Sequence, residues 1–97
     1  MSIMRIIVFR AKPGNETDLL TQLRTALAII DDEPGCVRCE LLVRRDHPGE
    51  IVILEEWVSM EAHNASLNNV PPELMERTLN LLESPPEGMY YHRDEAP

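Results

Sequence analysis

The stretch CVRCELLVRRDHPGEIVILEEW, residues 36–57, decides the fold. Each end of it is rich in β-branched and apolar residues that alternate with polar ones, which is typical of β-strands. The sequence DHPG at residues 46–49 is a turn signal between the two runs. Because the connection is so short, the two strands are predicted to pair antiparallel as a hairpin.

Further elements are predicted on both sides of this hairpin. MRIIVFR, residues 4–10, is a strand that ends at a Lys-Pro-Gly turn, and residues 15–30 carry an apolar stripe at helical spacing. Two short helices follow Ser59 and Pro71, and GMYYHR at residues 88–93 is a last strand. This order predicts an α+β fold of the ferredoxin-like split β-α-β kind, with a four-stranded antiparallel sheet and helices on one face. The 97 residues are predicted to form a single domain, 1–97, with a frayed C-terminal tail at 91–97.

Composition excludes several classes of function. The net charge of −8 disfavours nucleic acid as a partner. No apolar run approaches the roughly 20 residues of a membrane span, and Met1 to Arg10 is too short and too soon interrupted by arginine for a signal peptide. We therefore expect a cytoplasmic protein that binds neither nucleic acid nor membrane.

Both faces of the second hairpin strand are apolar. Ile51 and Ile53 lie on one face with Trp57, whereas Val52 and Leu54 lie on the other. The helices can cover only one of these faces, so a second copy of the chain is the simplest cover for the other. The sequence predicts a homodimer formed through the sheet face.

Cys36 and Cys39 form a C-x-x-C motif. A metal site of this type needs a second pair of ligands, and a thioredoxin-like motif opens a helix, whereas this one begins a strand. Positions three apart on a regular strand point to opposite faces, so the two sulfurs are predicted to diverge. Two unlinked thiols in a reducing compartment are the expected state.

The longer run PGCVRCELLVRRDHPGEIVILEEWVSMEAHNAS, residues 34–66, resembles the centre of the antibiotic biosynthesis monooxygenase (ABM) family. The features that carry the resemblance are a Pro-Gly turn, a strand, a short hairpin, Glu-x-Trp and a helix of the Ser-x-Glu-Ala type. The resemblance implies a dimeric α+β barrel with a cleft between helices and sheet. It also implies, for some members, oxygenation of quinol-like aromatic molecules without metal or flavin, or oxidative breakdown of haem.

The chain departs from the family pattern at two places. Many members carry a histidine nine or ten residues after the tryptophan, where this chain has Ser66 and Leu67. Haem-degrading members use an asparagine on the first strand, where this chain has Ile7, and only Trp57 matches them. Haem degradation is therefore disfavoured, and no cofactor is expected.

His63 and Trp57 are the candidate catalytic residues. At about 100° per residue, Met60, His63, Asn64 and Leu67 are predicted to share one helix face, which would point His63 at the sheet near Trp57. An imidazole there could take a proton from a phenol or quinol, making the substrate electron-rich enough to react with oxygen. The competing interpretation is that His63 and Trp57 are packed structural residues.

The candidate substrate-binding residues are Glu55, Asn64, Ile7, Phe9, Arg5 and Tyr90. Arg5 offers a cationic anchor on the first strand, and Tyr90 lies on the last strand. Two hypotheses remain from the sequence: a cofactor-independent monooxygenase acting on a quinol or hydroxylated aromatic small molecule, and a non-catalytic dimeric domain that binds a small ligand or serves as an accessory domain. An apolar cleft on which His63 and Glu55 converge would favour the enzyme.

Overall fold

The computed structural model describes residues 2–96. Its elements are β1 (Ile3–Arg10), α1 (Glu16–Asp31), β2 (Cys36–Val43), β3 (Glu50–Trp57), α2 (Met60–Ser66), a 3₁₀ turn (Leu67–Asn69), α3 (Pro72–Asn80) and β4 (Glu87–Tyr91). The predicted order of strands and helices is confirmed. Within the described residues, no helix is both long and apolar enough to span a membrane.

The four strands form one sheet in the order β2-β3-β1-β4, and every neighbouring pair is antiparallel. This is the ferredoxin-like α+β arrangement that the sequence predicts. In the pairing register, Arg5 on β1 stands opposite Glu55 on β3 and opposite Tyr90 on β4. These three side chains therefore lie side by side across the sheet, on the same face as the helices.

The core lies between this face of the sheet and the helices. Ile7, Phe9, Ile51 and Ile53 project from the two central strands and pack against the buried side chains of α1, which are Leu19 and Leu23. Leu82, just after α3, joins the same cluster, and Leu74 and Thr78 are the buried residues of α3. The alternation in β1 and β3 thus sends one row of apolar residues into the core.

The β3–α2 junction is fixed by a helix cap and a glycine. The Ser59 hydroxyl accepts a hydrogen bond from the backbone N–H of Ala62 at 3.1 Å, which satisfies one of the free donors at the start of α2. Gly35, in the turn before β2, has a φ of +87°, and a Cβ built there would lie 2.6 Å from the Cβ of Ala62. Glycine is required at this position both for its backbone conformation and for the close approach of α2.

One face of α2 differs from the sequence prediction. Its buried residues are His63 and Ser66, whereas Asn64 is exposed and Met60 and Leu67 are 36% and 50% exposed. His63 does point at the sheet as predicted, but the face that it shares is the one with Ser66, three residues on. The prediction that Met60, Asn64 and Leu67 share the face of His63, with Ser66 well away from it, was wrong for the buried face. A spacing of three residues brings side chains almost as close around a helix as a spacing of four.

The two cysteines also differ from the prediction. A register shift between Cys36 and Arg38 places Cys36 opposite Trp57 and Cys39 opposite Glu55, so both thiols lie on the helix-covered face. The prediction that the sulfurs diverge was wrong because the β-bulge adds one residue between them. Both cysteines are free, and within residues 2–96 no three His, Cys, Asp or Glu side chains cluster as metal ligands.

The opposite side of the sheet, which we call the outer face, is apolar at its centre. Ile6, Val8, Val52 and Leu54 are half-buried there by their own neighbours, and Leu42, Met89 and Tyr91 are exposed. Helices of the described chain pack on the other side, so the outer face lacks a covering layer within residues 2–96.

Charged residues close one end of the outer face and hold the C-terminal segment. The guanidinium of Arg93 donates to both carboxylate oxygens of Glu56, at 3.0 and 3.2 Å, and Arg38 donates to the same carboxylate at 3.2 Å. Hydrogen bonds from Arg93, Ser2 and Arg38 lower the pKa of Glu56 to about 2, and those from Arg93 and then Ser2 have the largest effects. The segment after Tyr91 has no helix or strand up to Ala96, yet Arg93 ties it to the sheet.

Candidate active site

An apolar cavity of about 180 Å³ lies between the sheet, α1 and α3. Residues 23–30 of α1 and 74–79 of α3 supply aliphatic walls, and the sheet supplies a floor. Leu67, Val70 and Pro86 complete the boundary. Among residues 2–96, the polar side chains in the lining are Arg5, Glu55 and Thr78, and the Thr78 hydroxyl already donates to the carbonyl of Leu74 at 2.8 Å.

Glu55 is a buried acidic residue of this cavity whose carboxylate is only partly hydrogen-bonded among the described residues. Its side chain is 1% exposed. Oε1 accepts a hydrogen bond from Trp57 Nε1 at 2.8 Å and lies 3.6 Å from Arg5 Nη1. Oε2 is buried and has no hydrogen-bond partner in the described part of the chain, and the same holds for Arg5 Nε. A buried carboxylate oxygen without a donor is costly, so a donor from a bound molecule would be favourable here.

The local sequence accounts for this arrangement. Glu55 and Trp57 are two apart on β3, so both side chains face the helices and the indole N–H reaches the carboxylate. Arg5 is the cross-strand neighbour of Glu55 on β1. The Arg5 guanidinium carbon also lies 5.8 Å from the centre of the Tyr90 ring, within the range of a cation–π contact. Three adjacent strands therefore converge on one charged pair.

Trp57, His63 and Tyr90 form an aromatic cluster beside the cavity. His63 packs edge-to-face against both other rings, with centroid separations of 5.4 Å in each case. Its Nδ1 lies 3.2 Å from the Tyr90 hydroxyl, while its Nε2 is buried without a partner among the described residues. Burial, and then the charge of Arg5, lower the pKa of His63, against an opposing effect of Glu55. The imidazole is therefore neutral at pH 7, and its Nδ1 accepts from Tyr90 when Nε2 carries the proton.

The structure separates the predicted site residues into three groups. Arg5, Ile7, Phe9 and Glu55 line the cavity. Trp57, His63 and Tyr90 lie together next to Glu55 and are outside the lining. Asn64 is exposed on α2, away from the cavity, because its neighbour His63 takes the position that faces the sheet.

The residues of α1 and α3 that line the cavity were not predicted as site residues. Met75, Thr78 and Leu79 belong to the lining, and Ile29 and Ile30 face them from α1. The apolar stripe of α3 was the signal that could have found them. A stripe at helical spacing predicts a face that packs inward, but the sequence does not say whether that face meets other side chains or a cavity.

One protein-family model matches most of the chain. The model described as "Antibiotic biosynthesis monooxygenase" matches residues 2–77. The chain belongs to this family. The match includes the hairpin, Glu55, Trp57 and all of α2, so the family resemblance of the sequence is confirmed.

Solved structures of similar proteins show the same fold over nearly the whole chain. Rv0793 from Mycobacterium tuberculosis is 23% identical, with a TM-score of 0.85 and 100% of both chains covered. SnoaB from Streptomyces nogalater, a cofactor-independent oxygenase, is 21% identical, with a TM-score of 0.78 and coverage of 98% of this chain and 95% of that one. Protein SO0527 from Shewanella oneidensis is 25% identical, with a TM-score of 0.83 and coverage of 95% and 90%. No curated protein matches the sequence.

Proposed function

We propose that the protein is a cofactor-independent monooxygenase that acts on a hydroxylated aromatic molecule bound in the cavity. The observation that carries the proposal is Oε2 of Glu55, a buried acceptor without a hydrogen-bond partner within residues 2–96, in a cavity whose other lining residues are apolar except Arg5 and Thr78. A phenolic hydroxyl is a donor of the right kind for this oxygen, and an aromatic ring suits the aliphatic walls. Membership of the family, and the likeness in fold to an oxygenase of this type, support the proposal.

The chemistry assigned to the protein is removal of a proton. Transfer of the hydroxyl proton to Glu55 leaves a phenolate with an electron-rich ring carbon. That carbon forms a bond with dioxygen, and return of a proton gives a ring hydroperoxide. Loss of water then breaks the O–O bond and leaves one oxygen atom on the ring, so a hydroquinone and dioxygen give a hydroxyquinone and water. Arg5 lies beside the carboxylate and would stabilise negative charge on the substrate oxygen.

Glu55 is the proton acceptor in this proposal, and His63 and Trp57 are positioning residues. The sequence assigns proton acceptance to His63, but His63 is outside the cavity lining, whereas Glu55 belongs to it. The Trp57 N–H holds one oxygen of Glu55, which directs the other to the substrate. His63 packs against the indole and so fixes its position. Direct proton transfer to His63 stays a prediction, and it is tested with the same assay.

The test is oxygen uptake with metal chelated, combined with incorporation of ¹⁸O₂ into the product. The substrates are hydroquinones. The variant is Glu55→Gln, which keeps an acceptor for Trp57 and removes the base, and the matched control is Glu61→Gln, an exposed glutamate on α2. We expect kcat/KM to fall by roughly a hundredfold or more in Glu55→Gln and to stay unchanged in the control.

Three results would contradict parts of this proposal. Uptake that yields peroxide and an unlabelled quinone would show an oxidase in place of a monooxygenase. A large loss in His63→Ala with little loss in Glu55→Gln would return proton acceptance to His63. Ligand binding without oxygen uptake faster than in buffer would favour the second hypothesis, a non-catalytic small-ligand-binding or accessory domain.

We also propose that two copies pair through the outer face. Its centre is apolar, and Leu42, Met89 and Tyr91 on the flanking strands β2 and β4 are exposed at 48%, 40% and 47%. Burial of such a patch against a second copy is the simplest way to remove it from water. Sedimentation equilibrium of Leu42→Glu checks this, since a charge placed within this apolar surface should shift a dimer towards monomer. An unchanged dimer would show that pairing uses another surface.

The cytoplasm is the compartment that we propose for the protein. The two neighbouring thiols, Cys36 and Cys39, are both free, which suits a reducing environment. A disulfide between them in protein recovered from its natural source would contradict this placement.

A further inference from the structure

The volume of the cavity limits the size of the ring that it can enclose. At about 180 Å³ it is only slightly larger than an engineered apolar cavity of about 150 Å³ that binds benzene. Cavities for drug-sized ligands are larger, about 300–1,000 Å³. One aromatic ring with small polar substituents can be enclosed in this space, whereas a rigid system of three or four fused rings would extend out of it through the mouth.

The cavity is polar at one end and apolar at its mouth. Glu55 and Arg5 form the polar end on the sheet. The mouth is bordered by Leu67, Met75 and Leu79, which are 50%, 49% and 46% exposed. A hydroxylated ring bound at Glu55 would therefore have its far edge directed towards large apolar side chains that are half in water.

A shallow groove on α3 continues from this mouth. It shares Val70, Met75 and Leu79 with the cavity, and Pro72, Glu76 and Asn80 form the rest of its boundary. Glu76 is the only charged side chain in the groove, so an anionic occupant is disfavoured. The continuity with the cavity favours an occupant that is already anchored inside it, namely an uncharged apolar chain attached to the bound ring.

We propose that the ligand is a head-and-tail molecule: a single hydroxylated aromatic ring held at Glu55, with a flexible apolar chain that leaves the cavity over Met75 and Leu79. The nature of the head group rests on the proposed function, whereas the shape of the ligand rests on the cavity volume and on the groove. A flexible chain is narrow enough to pass the mouth, and it would cover the apolar surface of α3 that water now contacts.

The test measures binding separately from turnover. Phenols that carry methyl, butyl or octyl chains, and a three-ring anthracenol, are titrated into the full chain by calorimetry, and oxygen uptake is measured in parallel with the corresponding alkylhydroquinones. A half-buried methylene gains about twofold in affinity, so we expect the Kd to fall roughly tenfold from methyl to butyl. We expect the anthracenol to bind at least tenfold more weakly than butylphenol.

Variants locate the chain on α3. Met75→Gln makes the groove polar without changing its size much, and Met60→Gln is the matched control, an exposed methionine on α2 outside both the cavity and the groove. We expect Met75→Gln to remove most of the gain from the longer chain, measured as the ratio of the methylphenol Kd to the butylphenol Kd in the same variant, because Met75 also lines the cavity. Met60→Gln should behave as the unmodified protein.

The possible results are distinct for the two proposals. A chain-length dependence that Met75→Gln removes, without oxygenation of any hydroquinone, supports the head-and-tail ligand and refutes the monooxygenase. Oxygenation that does not depend on chain length refutes the head-and-tail ligand and leaves the monooxygenase standing. The head-and-tail ligand is also refuted if the anthracenol binds more tightly than butylphenol, or if no phenol binds. If Met75→Gln changes the sedimentation of the protein and leaves the chain-length dependence intact, the groove is covered by a second copy and the inference is wrong.

Discussion

Replacing Glu55 by glutamine should remove activity while leaving the protein folded and nearly as stable as before. The carboxylate has one strong hydrogen bond, from Trp57, and one longer contact of 3.6 Å with Arg5. Glutamine retains an oxygen for the indole N–H, so that bond survives in neutral form. What is lost is the charge, together with its interaction with Arg5.

The two large free-energy terms of this substitution oppose each other. At an effective dielectric constant of about 20, unit charges 3.6 Å apart attract by about 5 kcal/mol. The Arg5 side chain is 24% exposed, so water weakens that attraction. Burial of a carboxylate costs several kcal/mol, and the unpartnered Oε2 adds to the cost. We therefore expect the free energy of unfolding of Glu55→Gln to lie within about 2 kcal/mol of the original value.

Urea unfolding at pH 8 measures this difference, and Glu55→Leu provides the comparison. Leucine removes the charge and also the acceptor for Trp57, so it should be less stable than the glutamine variant by about 1–3 kcal/mol. If Glu55→Gln lost more than about 3 kcal/mol, the carboxylate would be a structural ion-pair partner that cannot be neutralised, and the argument for a functional glutamate would fail.

Three further predictions follow from other parts of the structure. Gly35→Ala should unfold at a lower urea concentration, and its free energy of unfolding should fall by at least about 1–3 kcal/mol. The backbone φ of +87° strains any residue with a side chain, and the added Cβ would lie 2.6 Å from the Cβ of Ala62. An unchanged free energy of unfolding would show that α2 can move away. The pKa of His63 is lowered in the folded protein, so as the pH drops below 6.5 the unfolded chain takes up the proton before the folded protein does, and the free energy of unfolding should fall. His63→Gln should flatten this slope. The separate loss of stability between about pH 4.5 and 2, which protonation of Glu56 causes, should remain in that variant. Burial, and then the neighbouring Cys36, raise the pKa of Cys39 to about 12. Iodoacetamide should therefore alkylate Cys39 in the native protein more than a hundredfold more slowly than in urea, as followed by mass spectrometry of the Cys39 peptide, and rapid native labelling would contradict this.

The sequence predicts the fold better than it predicts the site. The alternation in residues 50–57 and the short turn before it specify β3 and its hairpin, and the observed strand has these same limits, Glu50–Trp57. The prediction that Glu55 and Trp57 share a face, with His63 pointing at them, is confirmed. These features depend on strand and helix periodicity alone, which can be read from one chain.

The errors arose where the regular period is broken or where the packing partner is unknown. The bulge between Cys36 and Arg38 shifts the face of Cys36, and no glycine in β2 signals it. The inward face of α2 depends on which of two neighbouring stripes meets the sheet, so the sequence alone places Asn64 on the face of His63 and Ser66 away from it. The cavity depends on how far α1 and α3 stand from the sheet, a distance that is set by side-chain packing and not by a local pattern.

Glu55 connects the stability of this fold to its proposed chemistry. A strand position between Ile53 and Trp57 that faces the helices would be most stable with an apolar residue, as Ile51 and Ile53 are. A glutamate there leaves one oxygen without a partner within residues 2–96, and Trp57 and Arg5 satisfy only the other. Buried polar groups that are not fully satisfied are expected where function requires them, at the expense of stability. A ligand hydroxyl that donates to Oε2 would supply the missing bond, so a methylphenol should raise the Tm of the original protein more than that of Glu55→Leu, in which only burial of the ring remains.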